Sequence, residues 1–243
     1  MIKYFFFIFL FCISNVYAYE RVHIAVSSNF IEPLDLIKKQ FLKKNKIIIT
    51  TSKGSTSKLF AQIINNAPID IFLSADQLTI KKLPANKKIQ GSGFTYAIGK
   101  LIIFSKSKIL KQLKLEKFLS QKLSNKIVIG NPKFSPYGLA SKQVLESLGI
   151  WSLFKNKIIL ASNINQVSSF IYSGNTDLGI ISNSDKLKLK KYKFGYFKEI
   201  PQNLYSPIKQ DVILLENAKN NNKAKLFFNF LKSKDAKKII KSF

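Results

Sequence analysis

Short apolar runs of strand length alternate with helix-period patterns along the chain, and this alternation constrains the fold more than any other feature. The apolar runs are Val22–Val26, Ile47–Thr50, Ile69–Leu73, Lys126–Gly130, Ile158–Leu160, Asp177–Ile181 and Val212–Leu215. Between them lie amphipathic stretches such as Pro33 to Phe41, with Leu34, Ile37 and Phe41 on one face. Parallel strands need a crossover of a dozen or more residues, and a helix is the usual one. The pattern therefore predicts an α/β fold with mostly parallel sheets flanked by helices. No repeat of fixed period is present.

The junctions between strand and helix share a composition. Thr51-Ser52-Lys53-Gly54-Ser55-Thr56-Ser57-Lys58 carries the chain from one strand into a helix that holds Leu59, Phe60, Ile63 and Ile64. Ser27-Ser28-Asn29-Phe30 does the same after the first strand, and Ser162-Asn163-Ile164-Asn165 after Ile158–Leu160. A rigid stretch, Asn131-Pro132-Lys133-Phe134-Ser135-Pro136-Tyr137-Gly138, opens onto a helix with Leu139, Val144, Leu145 and Leu148. The first amides of a helix have no internal acceptor and its N-terminal end is partly positive. Ser, Thr and Asn there either cap those amides or, together with them, face an anion. Gly149 and Gly174 are natural helix stops. Asp70 and Asp76 read as capping or surface carboxylates. Lys106 to Leu123 is a lysine-rich amphipathic stretch, and Lys186 to Lys193 reads as solvated surface. The run Phe94 to Phe104 is long for one strand, as expected where a chain passes between two domains, and a final amphipathic helix carries Phe227, Phe228, Phe230 and Leu231.

The first 18 residues form a leader: Lys3, an apolar stretch from Tyr4 to Ile13, and Val16-Tyr17-Ala18 as a small-residue cleavage site. The apolar stretch is shorter than the roughly 20 residues of a membrane-spanning helix. A periplasmic protein secreted through a cleaved signal peptide is expected. Cys12 raises a lipoprotein alternative, but bulky Phe11 stands where a small residue is needed. Past the leader there is no cysteine, hence no disulfide, thiol nucleophile or thiolate metal site. The formal charge of +27 invites nucleic acid as a partner. The lysines are scattered along the whole chain, however, and Arg21 is the only arginine, whereas sequence-reading DNA proteins depend on arginine forks. No nucleic acid is expected. His23, the only histidine, lies inside a strand with no nucleophile in a recognisable pattern beside it. Phosphate-loop, nucleophile-elbow and metal-spaced motifs are absent. No enzyme and no cofactor is expected. The signal that remains is a set of strand ends delivering hydroxyls and free amides, where ligands of open α/β sheets bind.

Taken together, the motifs carry a family resemblance. Ala25-Val26-Ser27-Ser28-Asn29-Phe30, Gly54-Ser55-Thr56-Ser57 and Ala67-Pro68-Ile69-Asp70-Ile71-Phe72-Leu73-Ser74-Ala75-Asp76 resemble the periplasmic molybdate-binding proteins of ABC importers. Phe94 to Leu101, Asn131-Pro132, Pro136-Tyr137-Gly138-Leu139-Ala140 and Asp177-Leu178-Gly179 extend the resemblance along the chain. It implies a two-lobed type II periplasmic binding protein with two crossovers, binding molybdate or tungstate in the cleft and acting as a monomer with a membrane permease. The lobes implied are 19–95 with 207–243, and 96–206, with crossovers at Gly91–Lys100 and Leu204–Asp211. The ligand residues implied are Ser28 and Asn29, Thr56 with Ser55, Tyr137, and the backbone amide of Ile164. Where some members place a second tyrosine, this chain has Ser182.

The chemistry agrees with that ligand. Molybdate is a fully ionised dianion at neutral pH and asks only for donors, whereas protonated phosphate also needs an acceptor. Sulfate, another donor-read dianion, stays open as an alternative, as does a ferric-ion site built on Tyr137, Tyr172 and Tyr205. A secreted phosphate-ester enzyme would need a metal cluster or a nucleophile pair.

Overall fold

The computed structural model describes residues 21–122, 125–186 and 195–243. The leader with Cys12 and most of the lysine-rich stretch 186–193 lie outside the described residues.

In chain order the elements of the first part are β1 (Arg21–Ser27), α1 (Ile31–Leu42), β2 (Ile48–Gly54), α2 (Thr56–Ile64), β3 (Ile71–Leu73), α3 (Gln77–Lys81) and β4 (Phe94–Gly99). The middle of the chain forms β5 (Leu101–Ser105), α4 (Leu115–Gln121), β6 (Ile127–Gly130), α5 (Pro136–Ser147), α6 (Trp151–Phe154), β7 (Ile158–Ala161), α7 (Ile164–Tyr172), β8 (Leu178–Ser182) and β9 (Tyr196–Glu199). The chain closes with β10 (Ile208–Leu214), α8 (Asn222–Phe230) and α9 (Lys234–Lys241).

These strands build two five-stranded sheets, ordered β2-β1-β3-β10-β4 and β7-β6-β8-β5-β9. Both follow one plan. In each, three strands run parallel (β2, β1, β3 and β7, β6, β8), and the strands at the other side pair antiparallel. The sheets are thus mixed: the helix-linked strands are the parallel ones, and the strands next to the two passages between sheets are antiparallel. This is the two-lobed type II fold. The long run from Phe94 to Phe104 is two strands in two sheets, separated only by Lys100. The return passage lies between β9 and β10.

Burial follows the pattern. Strand β1 is covered on both faces, as inner parallel strands are. Val22, Ile24 and Val26 pack with Leu34, Ile37, Phe41, Phe227 and Phe228 on one face. Ala25 packs with Leu59, Ile63 and Phe72 on the other. The second sheet has its own core, including Ile102, Phe104, Phe118, Ile129, Val144 and Ile180. Gly149 (φ +69°) and Gly174 (φ +76°) follow α5 and α7 in the left-handed conformation that ends them.

Four sequence expectations are corrected. Leu139 is exposed, and α5 instead buries Tyr137, Gly138, Ala140, Ser141, Val144 and Leu145. The one-turn helix α6 and strand β9 have no counterpart in the sequence reading; each is only four residues long, too short for a period to show. Strand β10 begins at Ile208 rather than Val212, so the polar Lys209-Gln210-Asp211 is strand. The final helix is two, because Ser233 caps a new start by accepting from the Ala236 amide at 3.1 Å.

Candidate oxyanion site

The parallel strands of each sheet point their C-terminal ends at the boundary between lobes, and each hands over to a helix start. After β1 comes a 3-10 turn, Ser28–Phe30. After β2, Ser55 caps α2, its hydroxyl accepting from the Lys58 amide at 3.4 Å. Ser135 caps α5 through the Gly138 amide at 3.3 Å, with Pro136 in the first turn. Asn163 caps α7 through the Gln166 amide at 3.0 Å. Each cap satisfies one amide of the first turn and leaves earlier ones for another acceptor.

The two lobes meet there. Helix α7, which begins at Ile164, packs on the turn Ser28–Phe30. The Ser57 amide donates to the Phe134 carbonyl at 3.4 Å. The Ser184 hydroxyl donates to the Asn29 carbonyl at 2.7 Å. Ser28, Asn29, Ser55, Thr56, Tyr137 and Ile164 are all buried. Thr56 Oγ1 lies 2.9 Å from Ser27 Oγ and accepts the Ala75 amide at 3.4 Å, which ties the end of β1 to the start of α2. The Ser28 hydroxyl has no hydrogen-bond partner among the described residues, so its donor is available.

Asn29 and Tyr137 touch across the lobes. Asn29 Nδ2 donates to the Tyr137 hydroxyl at 3.3 Å and to Gln210 Oε1 at 2.7 Å. Gln210 Nε2 donates to the same hydroxyl at 3.2 Å. The Tyr96 hydroxyl lies 3.1 Å from both Gln210 Oε1 and the Ser74 carbonyl and can donate to either. Burial pushes the Tyr137 phenol well above its ordinary pKa, with the neighbouring Asp185 and Tyr205 as lesser causes, so the hydroxyl keeps its proton. Tyr96 is raised chiefly by burial too. Tyr137 sits in the first turn of α5, so the helix start sets its ring direction. Ser182, in the place of a second tyrosine, is buried, bonds Ser184 at 2.7 Å and hydrogen-bonds Tyr137.

A profile of bacterial extracellular solute-binding proteins matches residues 22–243. The chain belongs to this family. It is 36% identical over 224 residues to the molybdate-binding protein ModA of Azotobacter vinelandii, covering 92% of this chain and 88% of that one. It is 33% identical over 220 residues to the molybdate-binding protein ModA of Rhodobacter capsulatus, covering 90% and 85%. The solved structure of the Azotobacter vinelandii periplasmic molybdate-binding protein superposes with a TM-score of 0.81 at 31% identity, over 90% of this chain and 96% of that one.

The remaining candidates of this solute-binding protein have structural duties. Asp70 accepts from the His23 amide at 2.7 Å and from Asn221 at 3.1 Å, pinning β1 to the region before α8. Asp76 caps α3 through the Thr79 amide at 2.6 Å. The His23 ring bonds Ser52 at 2.9 Å and the Pro68 carbonyl at 3.0 Å. Of the three tyrosines a ferric site would use, Tyr205 accepts the Leu101 amide at 3.1 Å. Tyr172 ends α7, eight residues or about 12 Å along the helix from Ile164. Sequence reasoning missed Gln210 and Tyr96, which lie inside strands, and Ser184, which lies in a single 3-10 turn after β8, too short to show a helical pattern.

Proposed function

We propose that this solute-binding protein captures molybdate, or its congener tungstate, between its lobes and delivers it to the membrane permease of an ABC importer. Its role is binding and hand-over, with no chemical step and no cofactor. The shell consists of Ser28, Asn29, Ser55, Thr56, Tyr137 and the Ile164 amide. A dianion taken out of water is stable only if its oxygens are met by hydrogen bonds. The observation that carries the reading is the protonated Tyr137 hydroxyl meeting Asn29 across the lobes, among helix starts of both sheets. The donors are neutral hydroxyls and amides. The likeness to named molybdate-binding proteins at 33% and 36% identity supports the same ligand.

The passages at Lys100 and between β9 and β10 support one lobe of 19–99 with 207–243 and a second of 101–206. The boundary expected at 95/96 falls inside β4, whose residues up to Gly99 pair with β10 of the first sheet. Cleavage after Ala18 would release the protein to the periplasm as a monomer. A thermal-shift panel tests the ligand class. Molybdate and tungstate at about 100 times their dissociation constants add roughly 2.7 kcal/mol and raise the melting temperature. Phosphate leaves it unchanged, and sulfate gives a smaller shift. Equal stabilisation by phosphate contradicts the donor-only shell.

A further inference from the structure

Gln210 lies on β10, at the irregular register between Gln210 and Asp211 where β10 pairs with β4. Its buried side chain reaches Asn29 of the first turn, Tyr96 of β4 and Tyr137 of α5. The Tyr137 oxygen receives two N–H donors, Asn29 Nδ2 at 3.3 Å and Gln210 Nε2 at 3.2 Å. A phenol oxygen has two acceptor positions and one proton. With both acceptor positions filled, the proton is the capacity left over. It turns away from Asn29 and Gln210 to the side of Ser182, the remaining hydrogen-bond neighbour that an oxyanion would replace. Asn29 spends both side-chain N–H groups inside the same network, so its part in the proposed shell falls to its main-chain amide.

We propose that Gln210 is the residue that sets oxyanion specificity, by holding the Tyr137 hydroxyl as an obligate donor. This rests on the reading of Tyr137 as part of the oxyanion site. Gln210 acts through Tyr137 and is a positioning residue. A hydroxyl so fixed donates a hydrogen bond to a fully ionised oxyanion and has no lone pair for the proton of hydrogen phosphate. The fold leaves room for this arrangement at Gly99, the last residue of β4. A Cβ there would stand 2.8 Å from Tyr137 Cζ and 3.1 Å from Gln210 Nε2, so a side chain would push the pair apart.

Calorimetric titration with molybdate and with phosphate tests the inference. It compares the wild type, Tyr137→Phe, and Gln210→Met and Gln210→Glu each in both backgrounds. Gln210→Met removes the donor at similar volume. Gln210→Glu keeps the shape and puts an acceptor opposite the phenol, turning its proton inward. Molybdate affinity falls about tenfold in Gln210→Met and further in Gln210→Glu. Once Tyr137 is Phe the Met change costs nothing more, and the Glu change keeps only the smaller repulsion of its carboxylate for the dianion. Gln210→Glu also narrows the preference for molybdate over phosphate, which a general loosening of the fold would leave unmoved. Should the Met variant not fold, the Glu pair makes the same comparison. A folded Gln210 variant with wild-type affinity, or an undiminished loss in the Phe background, overturns the inference alone. A wild type that does not bind molybdate overturns the reading of the site, and this inference with it.

Discussion

Tyr137 is a phenol that the fold keeps protonated. The sign of its pKa shift carries a stability consequence. Below the ordinary tyrosine value near pH 10, Tyr137 and Tyr96 hold their protons in both the folded and the unfolded chain. Above it the unfolded chain releases them and the folded chain does not. Unfolding is then favoured by about 1.4 kcal/mol per pH unit for each phenol, and stability is lost as pH rises. Urea unfolding between pH 9 and about pH 11.5 shows this as a falling free energy, and Tyr137→Phe makes the fall shallower by one proton. Equal slopes in the two proteins contradict the burial of a neutral phenol. At this scale the sequence was informative wherever a residue sits at a strand–helix junction. Hydroxyls and amides at helix starts also serve as ordinary caps, as Ser55, Ser135 and Asn163 do here, so junctions alone did not single out ligand residues. Ser28, Asn29, Thr56 and Ile164 were named by the family resemblance. Gln210 was not readable: it lies in a polar stretch between Pro207 and Val212, and its contacts with Asn29 and Tyr137 span 181 and 73 positions.

The element that positions the site most tightly is α5. Its Gly138 lies so close to the end of β6 that an added Cβ would stand 2.6 Å from the Gly130 carbonyl carbon and 2.8 Å from the Asn131 carbonyl carbon. These are backbone atoms and cannot swing aside. Gly138→Ala must therefore lift the helix start, and Tyr137 with it, off the strand end. Overpacking of this kind costs roughly 1–3 kcal/mol. For a chain of this size each kcal/mol lowers the melting temperature by about 2–4 °C. The variant is expected to melt several degrees lower and to bind molybdate more weakly. A melting curve that superposes on the wild type contradicts the close approach. Long elements with a clear period, such as α1 and α7, were legible in the sequence. The strand after Pro207 was placed late because Lys209, Gln210 and Asp211 break its apolar run. Asp211 is held by Thr95 at 2.6 Å and by Gln77 at 3.1 Å, partners that no local pattern announces.

For the whole molecule, two sheets of one plan set their strand ends face to face, and the chain crosses between them at Lys100 and after β9. The alternation of strand and helix made the α/β class legible. The antiparallel strands could not be read that way, because they are defined by which sheet they join rather than by their own composition. Phe94 to Phe104 shows the difference: one apolar run in sequence, two strands in separate sheets. The charge of +27 belongs to this scale as well, since a positive surface raises the local concentration of a small dianion without specifying it. In the proposed reading specificity is left to the neutral donors of Ser28, Thr56 and Tyr137. Calorimetric titration of the purified protein with molybdate, against phosphate in the same buffer, tests this most directly. One molybdate per chain, bound saturably while phosphate gives no saturable heat, is the predicted result. No binding of molybdate, or phosphate bound as tightly, would contradict it.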